Sequence, residues 1–155
     1  MISVQKRAPE PMSKTRLRLW LKLLKTSSRI ETELRRRMRI QYGTTLPRFD
    51  VMAALSRHTS GLKMSTLSNL LRVSNGNVTG IVDRLTEEGH ALRVSMPGDR
   101  RAQIAVLTPA GRASFAKLAA THEAWLDQLL QGLDADDAAT LHALLGKAEG
   151  EIDAE

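Results

Sequence analysis

From Arg16 the apolar positions Leu17, Trp20, Leu21, Leu24, Leu34 and Met38 keep close to a 3.5-residue spacing, with lysines and arginines between them. That pattern predicts a long helix, interrupted in its stripe near Ser27 and Ser28 and ended by Gly43. Residues 1–15 contain Pro9 and Pro11, have no period and read as a loose tail. Pro47 opens a short helix, "PRFDVMAAL", with Phe49, Met52, Ala53 and Leu55 inward. In "KMSTLSNLLRV" Met64, Leu67, Leu70 and Leu71 give another, with Ser65 able to cap a slightly later start. A turn near Arg72 and Val73 follows. Ser74 then caps "NGNVTGIVDRLTEEG", where Val78, Ile81, Val82 and Leu85 form the stripe and Gly89 is a suitable helix end.

After Gly89 the period shortens to two. "HALRVSM" and "AQIAVL" alternate apolar and polar residues around "PGDRR", which predicts a two-stranded β-hairpin with Pro97 and Gly98 as its turn. Leu92, Val94 and Met96 are expected across from Ile104 and Val106. Thr108 and Pro109 start a long helix carrying Phe115, Leu118, His122, Trp125, Leu126 and Leu129, which Gly132 ends. Asp134 caps a last helix carrying Leu141, Leu144, Leu145, Ala148 and Ile152. The class is mainly α with a small β-hairpin.

With 155 residues the chain fits one domain with a proper core. Cysteine is absent, which removes disulfides, cysteine metal sites and thiol redox sensing. No apolar run is long enough to span a membrane, and "MISVQKRAPEPMSK" lacks the apolar stretch of a secretory signal, so a cytoplasmic protein is expected. The net charge of +6 suits a polyanion partner, and its distribution is uneven. Residues 1–46 carry +9, residues 47–107 +3 and residues 108–155 −6. The basic first part and acidic last part are suited to lie together, within one chain or between two.

Short helix, turn, capped amphipathic helix and hairpin with a basic tip are, in that order, a helix-turn-helix with a wing. This order accounts for the weak helix formers Ser74, Asn75, Gly76, Asn77, Thr79 and Gly80. A recognition helix buries one stripe and presents the other face to the major groove of DNA. Small residues there let the backbone approach. Asn75, Asn77 and Thr79 can bond base edges, Asn favouring adenine, and Arg84, one turn deeper, can reach the phosphate backbone. An ordinary surface helix with a Gly-rich start would not explain the basic hairpin that follows. At its tip, Arg100 and Arg101 can enter a minor groove, with Asp99 able to hold one arginine by a bidentate pair.

The segment from "LSNLLRVSNGNVTGIVDRL" to "GDRRAQIAVLTPAGR" resembles the MarR-type (multiple-antibiotic-resistance regulator) winged-helix family, over about residues 16–152. The resemblance implies one domain over residues 16–155, with the winged helix-turn-helix at 47–107 and dimerisation helices at 16–46 and 108–155. It implies a homodimer on a pseudo-palindromic operator, controlled by small, often aromatic, anionic ligands. It makes Asp99 and Arg101 the wing pair, with Arg101 entering the minor groove; Ser65 and Ser74 are also expected in the DNA-binding set. One departure is Gly80, which stands where many members carry a longer side chain and leaves more of the reading to Asn75, Asn77 and Thr79.

An enzyme is a weak reading, because His58, His90, His122 and His142 are scattered without metal-ligand spacing and there is no phosphate loop or nucleophile elbow. No cofactor is expected. A purely helical scaffold leaves the wing unexplained. The remaining alternative is a ligand-independent, architectural DNA-binding protein. "ELRRRMR" reads either as a solvated helix face or as an anion site. In the second case Arg36, Arg37 and Arg39, with Trp20 and Tyr42 to stack on a ring, would hold an aromatic carboxylate or a coenzyme A thioester. Arg35 belongs to the same run, which carries more cations than its neighbours are expected to neutralise, and Trp125 is a further aromatic. The absence of cysteine excludes the peroxide-sensing branch of such regulators.

Overall fold

Thr45, Ser74, Thr108 and Asp134 each precede a helix, and each side-chain oxygen accepts the backbone N–H of the third helical residue. These caps satisfy donors that the helix itself leaves orphaned. The computed structural model describes residues 9–71 and 73–154, with Arg100 described by its backbone alone. Residues 1–8 of the expected tail and Arg72 of the expected turn lie outside the described residues. The elements are α1 (Met12–Tyr42), α2 (Leu46–Arg57), β1 (Leu62–Lys63), α3 (Met64–Leu71) and α4 (Asn75–Glu87). They continue with β2 (Ala91–Met96), β3 (Asp99–Leu107), α5 (Pro109–Leu129) and α6 (Ala135–Asp153).

The chain divides between Gly43 and Thr44 into two compact units. In the first, α1 starts at Met12 and not at Arg16, because its residues propagate a helix back to Pro11, which needs no N–H partner at the cap. The helix runs unbroken through Ser27, whose hydroxyl donates to the carbonyls of Leu23 at 2.9 Å and Leu24 at 3.1 Å. It stops at Gly43, where φ is +58° and the N–H returns to the Arg39 carbonyl.

In the second unit Val51 and Leu55 of α2, Leu67 of α3, and Val78, Val82 and Leu85 of α4 lie fully buried in one cluster. Each such side chain contributes roughly 1.5–3 kcal/mol relative to an exposed one. The α4 stripe is therefore as its periodicity predicts. In α3 Leu67 and Ser68 are buried and Met64 and Leu71 pack half-buried against the core, while Leu70, expected inward, is exposed. Helix α3 also starts one residue earlier than the cap expected at Ser65, which leaves Ser65 exposed inside its first turn.

The sheet has three antiparallel strands in the order β1-β3-β2, not two. β1 pairs Leu62 with Ala105 and Lys63 with Ile104. Gly61 makes that approach possible: its φ is +91°, and a Cβ there would lie 2.8 Å from the Ala105 carbonyl oxygen. Leu92 pairs with Val106 and Val94 with Ile104 as expected, whereas Met96 pairs with Asp99 across an irregularity after Ser95. The core face carries Ala91, Ala105 and Leu107, and the larger Leu92 and Val94 are 54% and 44% exposed. Small side chains let the hairpin sit close to the helices, and alternation sends the large ones outward.

α5 ends at Leu129, ahead of Gly132, and Asp134 and Asp137 close a reciprocal capping box that starts α6. Residues of α6 are exposed throughout, with Leu144 at 59% and Ile152 at 73%. No described helix is long and apolar enough to cross a membrane.

Candidate nucleic-acid interface

Burial of Val78, Val82 and Leu85 fixes which way α4 faces. Asn75, Gly76, Asn77, Gly80, Asp83, Arg84 and Glu87 are exposed, and Thr79 is half-buried beside them. Neither Gly76 nor Gly80 has a left-handed φ, and a Cβ on either would meet nothing within 4 Å. The protein itself thus requires neither glycine. Ser74 is exposed, with its hydroxyl oxygen accepting the Asn77 N–H at 3.3 Å. The preceding turn is held from α3: the Ser68 carbonyl accepts the Val73 N–H at 3.2 Å, and the Ser68 hydroxyl donates to the Val73 carbonyl.

The far end of α4 closes with Gly89 at φ +77°. The Gly89 N–H bonds the Thr86 carbonyl at 3.1 Å and the His90 N–H bonds the Leu85 carbonyl at 2.8 Å, the paired bonds of a Schellman end. Thr108 joins this end to α5. Its hydroxyl donates to the Gly89 carbonyl at 2.7 Å and accepts the Gly111 N–H at 3.0 Å, and its N–H bonds the His90 carbonyl at 3.0 Å. Glu88 is ion-paired with Arg48 from the first turn of α2. The hydrogen bond from Arg48 holds the Glu88 carboxyl below the usual range.

At the wing tip Gly98 has φ +84°, which the Pro-Gly turn requires at its second central position. Of the two arginines that Asp99 is expected to be able to hold by a bidentate pair, it does not hold the Arg101 side chain. Its carboxylate accepts the backbone N–H of Arg101 at 2.9 Å, because an aspartate two residues back reaches the main chain more readily than a guanidinium that swings outward. Arg101 is exposed. The Arg100 side chain lies outside the described residues.

Two basic residues escaped the sequence reading. Arg93 of β2 reaches Asp83 of α4 at 2.7 Å and Gln103 of β3 at 3.4 Å. Its available signal was position: it shares the inner face of β2 with Ala91. Arg48 left no comparable signal, since Glu88 is 40 residues away in sequence.

The arginine run on α1 is partly paired within its own helix. Glu33 accepts two bonds from Arg36, at 2.9 and 2.7 Å, and one from Arg37 at 2.8 Å. Arg35 lies 3.6 Å from Glu31. Three arginines thus lie against two carboxylates, and with Arg39 the run keeps the expected excess of cations. Hydrogen bonds from Arg36 and then Arg37 lower the Glu33 carboxyl to about 2. Arg39, Trp20 and Tyr42 are exposed, and Trp125 is buried. On one continuous helix Trp20 and Tyr42 stand about 33 Å apart, so a single chain does not bring them to one ring.

A capped helix with a polar outer face, set behind a short helix and beside a basic-tipped hairpin, defines the winged helix-turn-helix class. Residues 42–102 match the model of the MarR family. A MarR family transcriptional regulator from Silicibacter pomeroyi, solved by crystallography, is 31% identical, with 93% of this chain and 99% of that one covered and a TM-score of 0.76. The chain belongs to the MarR family of transcriptional regulators and is not an enzyme. Another relative, the transcriptional activatory protein BadR of Rhodopseudomonas palustris, is 34% identical over 107 residues, 66% of this chain; the chain spans 61% of that protein's length. Sco3205 from Streptomyces coelicolor, solved in complex with DNA, shares the fold at 21% identity, with 94% of this chain and 92% of that one covered and a TM-score of 0.74.

Proposed function

We propose that the protein is a homodimeric transcriptional regulator that binds a pseudo-palindromic DNA operator and is released from it by a small anionic effector. The observation that carries the DNA reading is the exposed α4 face, where Asn75, Asn77 and Thr79 surround two glycines that nothing internal requires. Asn75, Asn77 and Thr79 bond base edges, Gly76 and Gly80 admit close approach, and Ser65, Ser74 and Arg84 face phosphates. Arg100 and Arg101 at the tip enter the minor groove, and Asp99 shapes the loop that presents Arg101.

Dimerisation is supported by apolar residues left uncovered. Leu17, Trp20, Leu21 and Leu24 are exposed on α1, between Arg16, Arg18, Lys22 and Lys25. A groove of about 690 Å³ on α5 and α6 offers Leu126, Leu130 and Leu133 with Glu123 and Asp127. One chain's basic, apolar helix fits the partner's acidic, apolar groove.

The effector would be an aromatic carboxylate or its coenzyme A thioester, held by Arg36, Arg37, Arg39 and Tyr42 near one end of α1, with Trp20 contributed from elsewhere in the dimer. It would act as an inducer of a repressor by favouring the spacing of the two α4 helices that does not fit DNA. The name of the activatory relative favours a second reading, in which the bound protein promotes transcription.

The test is binding to DNA from upstream of the protein's own gene. Asn77→Ala or Thr79→Ala should cost about 1–3 kcal/mol on the operator and little on random duplex. Arg101→Ala should weaken all sites and flatten the salt dependence. Equal losses on every sequence would strip Asn77 and Thr79 of a base-reading role. Calorimetric titration with aromatic acids and their thioesters tests the effector.

A further inference from the structure

Beyond Arg93 and its paired residue Ala105, the hairpin leaves the core: Ser95 and Gln103 are exposed, and the strand pairing becomes irregular after Ser95. Pro97 lies four residue steps beyond Arg93, so the tip stands about 13 Å beyond this point. A swing of about 10° there would carry the tip about 2 Å, enough to pull a guanidinium out of hydrogen-bond range. The Arg93 guanidinium spans the place where such a swing would hinge. One end lies 2.7 Å from Asp83 on α4, an ion pair without hydrogen-bond alignment, and the other donates to Gln103 on β3 at 3.4 Å, so it links both strands to the helix. Asp83 is on the exposed side of α4, one turn beyond Thr79. Unpaired, its carboxylate would face the phosphates that α4 approaches.

We infer that Arg93 is a positioning residue, which locks the wing against α4 through Asp83 and Gln103 so that the tip and the helix read adjacent grooves as one rigid unit. This rests on the DNA reading above. Arg93 need not touch DNA itself; it acts through Arg101 at the tip. Two separate effects follow. Losing the tie frees the tip, which should abolish discrimination in the minor groove while leaving α4 able to read bases. Losing the Asp83 charge alone should, on electrostatics, tighten binding to every duplex.

The experiment uses the full chain and duplexes carrying the site footprinted upstream of its gene, with the segment under the wing either A·T-rich or G·C-rich. Wild type should prefer the A·T-rich duplex by about tenfold, near the low end for one mis-set base pair, and Arg93→Gln should reduce this to about twofold or less. Asp83→Asn should do the same, and it alters only an exposed helix position if Arg93→Gln fails to fold. Sensitivity to base changes under α4 should persist in both variants. Arg93→Gln should add nothing to the flank effect of Arg101→Ala. A merely structural role would weaken all duplexes alike and leave the flank preference intact, and a role in neutralising Asp83 alone would make Asp83→Asn bind tighter with that preference unchanged. Either outcome overturns the inference, as does a wild-type protein indifferent to the flanks, and each leaves α4 as the base reader. A wild-type protein that binds no DNA overturns the regulator reading and this inference together.

Discussion

Gly80 and Gly111 show how little a residue's identity says without its surroundings. A Cβ on Gly80 would meet nothing within 4 Å, whereas one on Gly111 would lie 2.0 Å from the His90 carbonyl oxygen. Gly80→Ala should therefore stabilise the free protein by roughly 0.5–1 kcal/mol, the helix-interior difference between the two residues. Gly111→Ala should destabilise it by about 1–3 kcal/mol, as overpacking does, because α5 must retreat from the end of α4. Thermal unfolding of the two variants checks this; shifts of the same sign would contradict the packing at Gly111. Gly89 and Gly98 were legible in the sequence because the turns they make are local. Gly111 was not, since the atom that excludes a side chain belongs to a residue 21 positions earlier. The same distance problem hid the Asp83–Arg93 and Arg48–Glu88 pairs, and the carboxylate of Asp99 chose a main-chain partner that charge alone does not indicate.

Among the elements, α4 was the most legible, because its buried stripe, its Ser74 cap and its Gly89 end all point to one helix. β1 left no trace: two residues form a strand only because β3 passes beside them. The hairpin's register was readable from its turn, but its inner face was not, since the large apolar residues lie outside and alanines lie inside. The α2–α5 packing adds a pH dependence. His122 stacks on Phe49 with ring centroids 4.5 Å apart, and Phe49 lies 5.4 Å from Phe115. Burial lowers the His122 pKa below its usual 6.5, so the unfolded chain binds the proton more readily than the folded one. The associated stability is complete above pH 6.5 and is lost as the pH falls through that value toward the lowered one. His122→Phe keeps a ring on Phe49 and removes the titration. Melting temperatures from about pH 8 to about pH 5.5 should fall less in this variant than in wild type. Matching slopes would place the acid sensitivity elsewhere.

At the scale of the molecule, α6 has no buried residue and α1 exposes Trp20 beside Leu17, Leu19, Leu21 and Leu24, apolar surface that the proposed second copy would cover. Sedimentation should give twice the 17.1 kDa chain mass, and Leu144→Glu should shift it toward the single-chain mass and weaken operator binding. A wild-type protein that stays monomeric at micromolar concentration would refute the homodimer. The sheet order has a different consequence for the molecule in solution. β2 is an edge strand, so one row of its N–H and C=O groups is free to template another chain, and Leu92 and Val94 beside it are apolar and exposed. Arg93 between them and the irregular pairing after Ser95 interrupt what would otherwise be a short, uncharged, sticky ribbon. The arginine that braces the wing thus also serves as a gatekeeper against aggregation, and replacing it with an apolar residue would trade solubility for a longer adhesive edge.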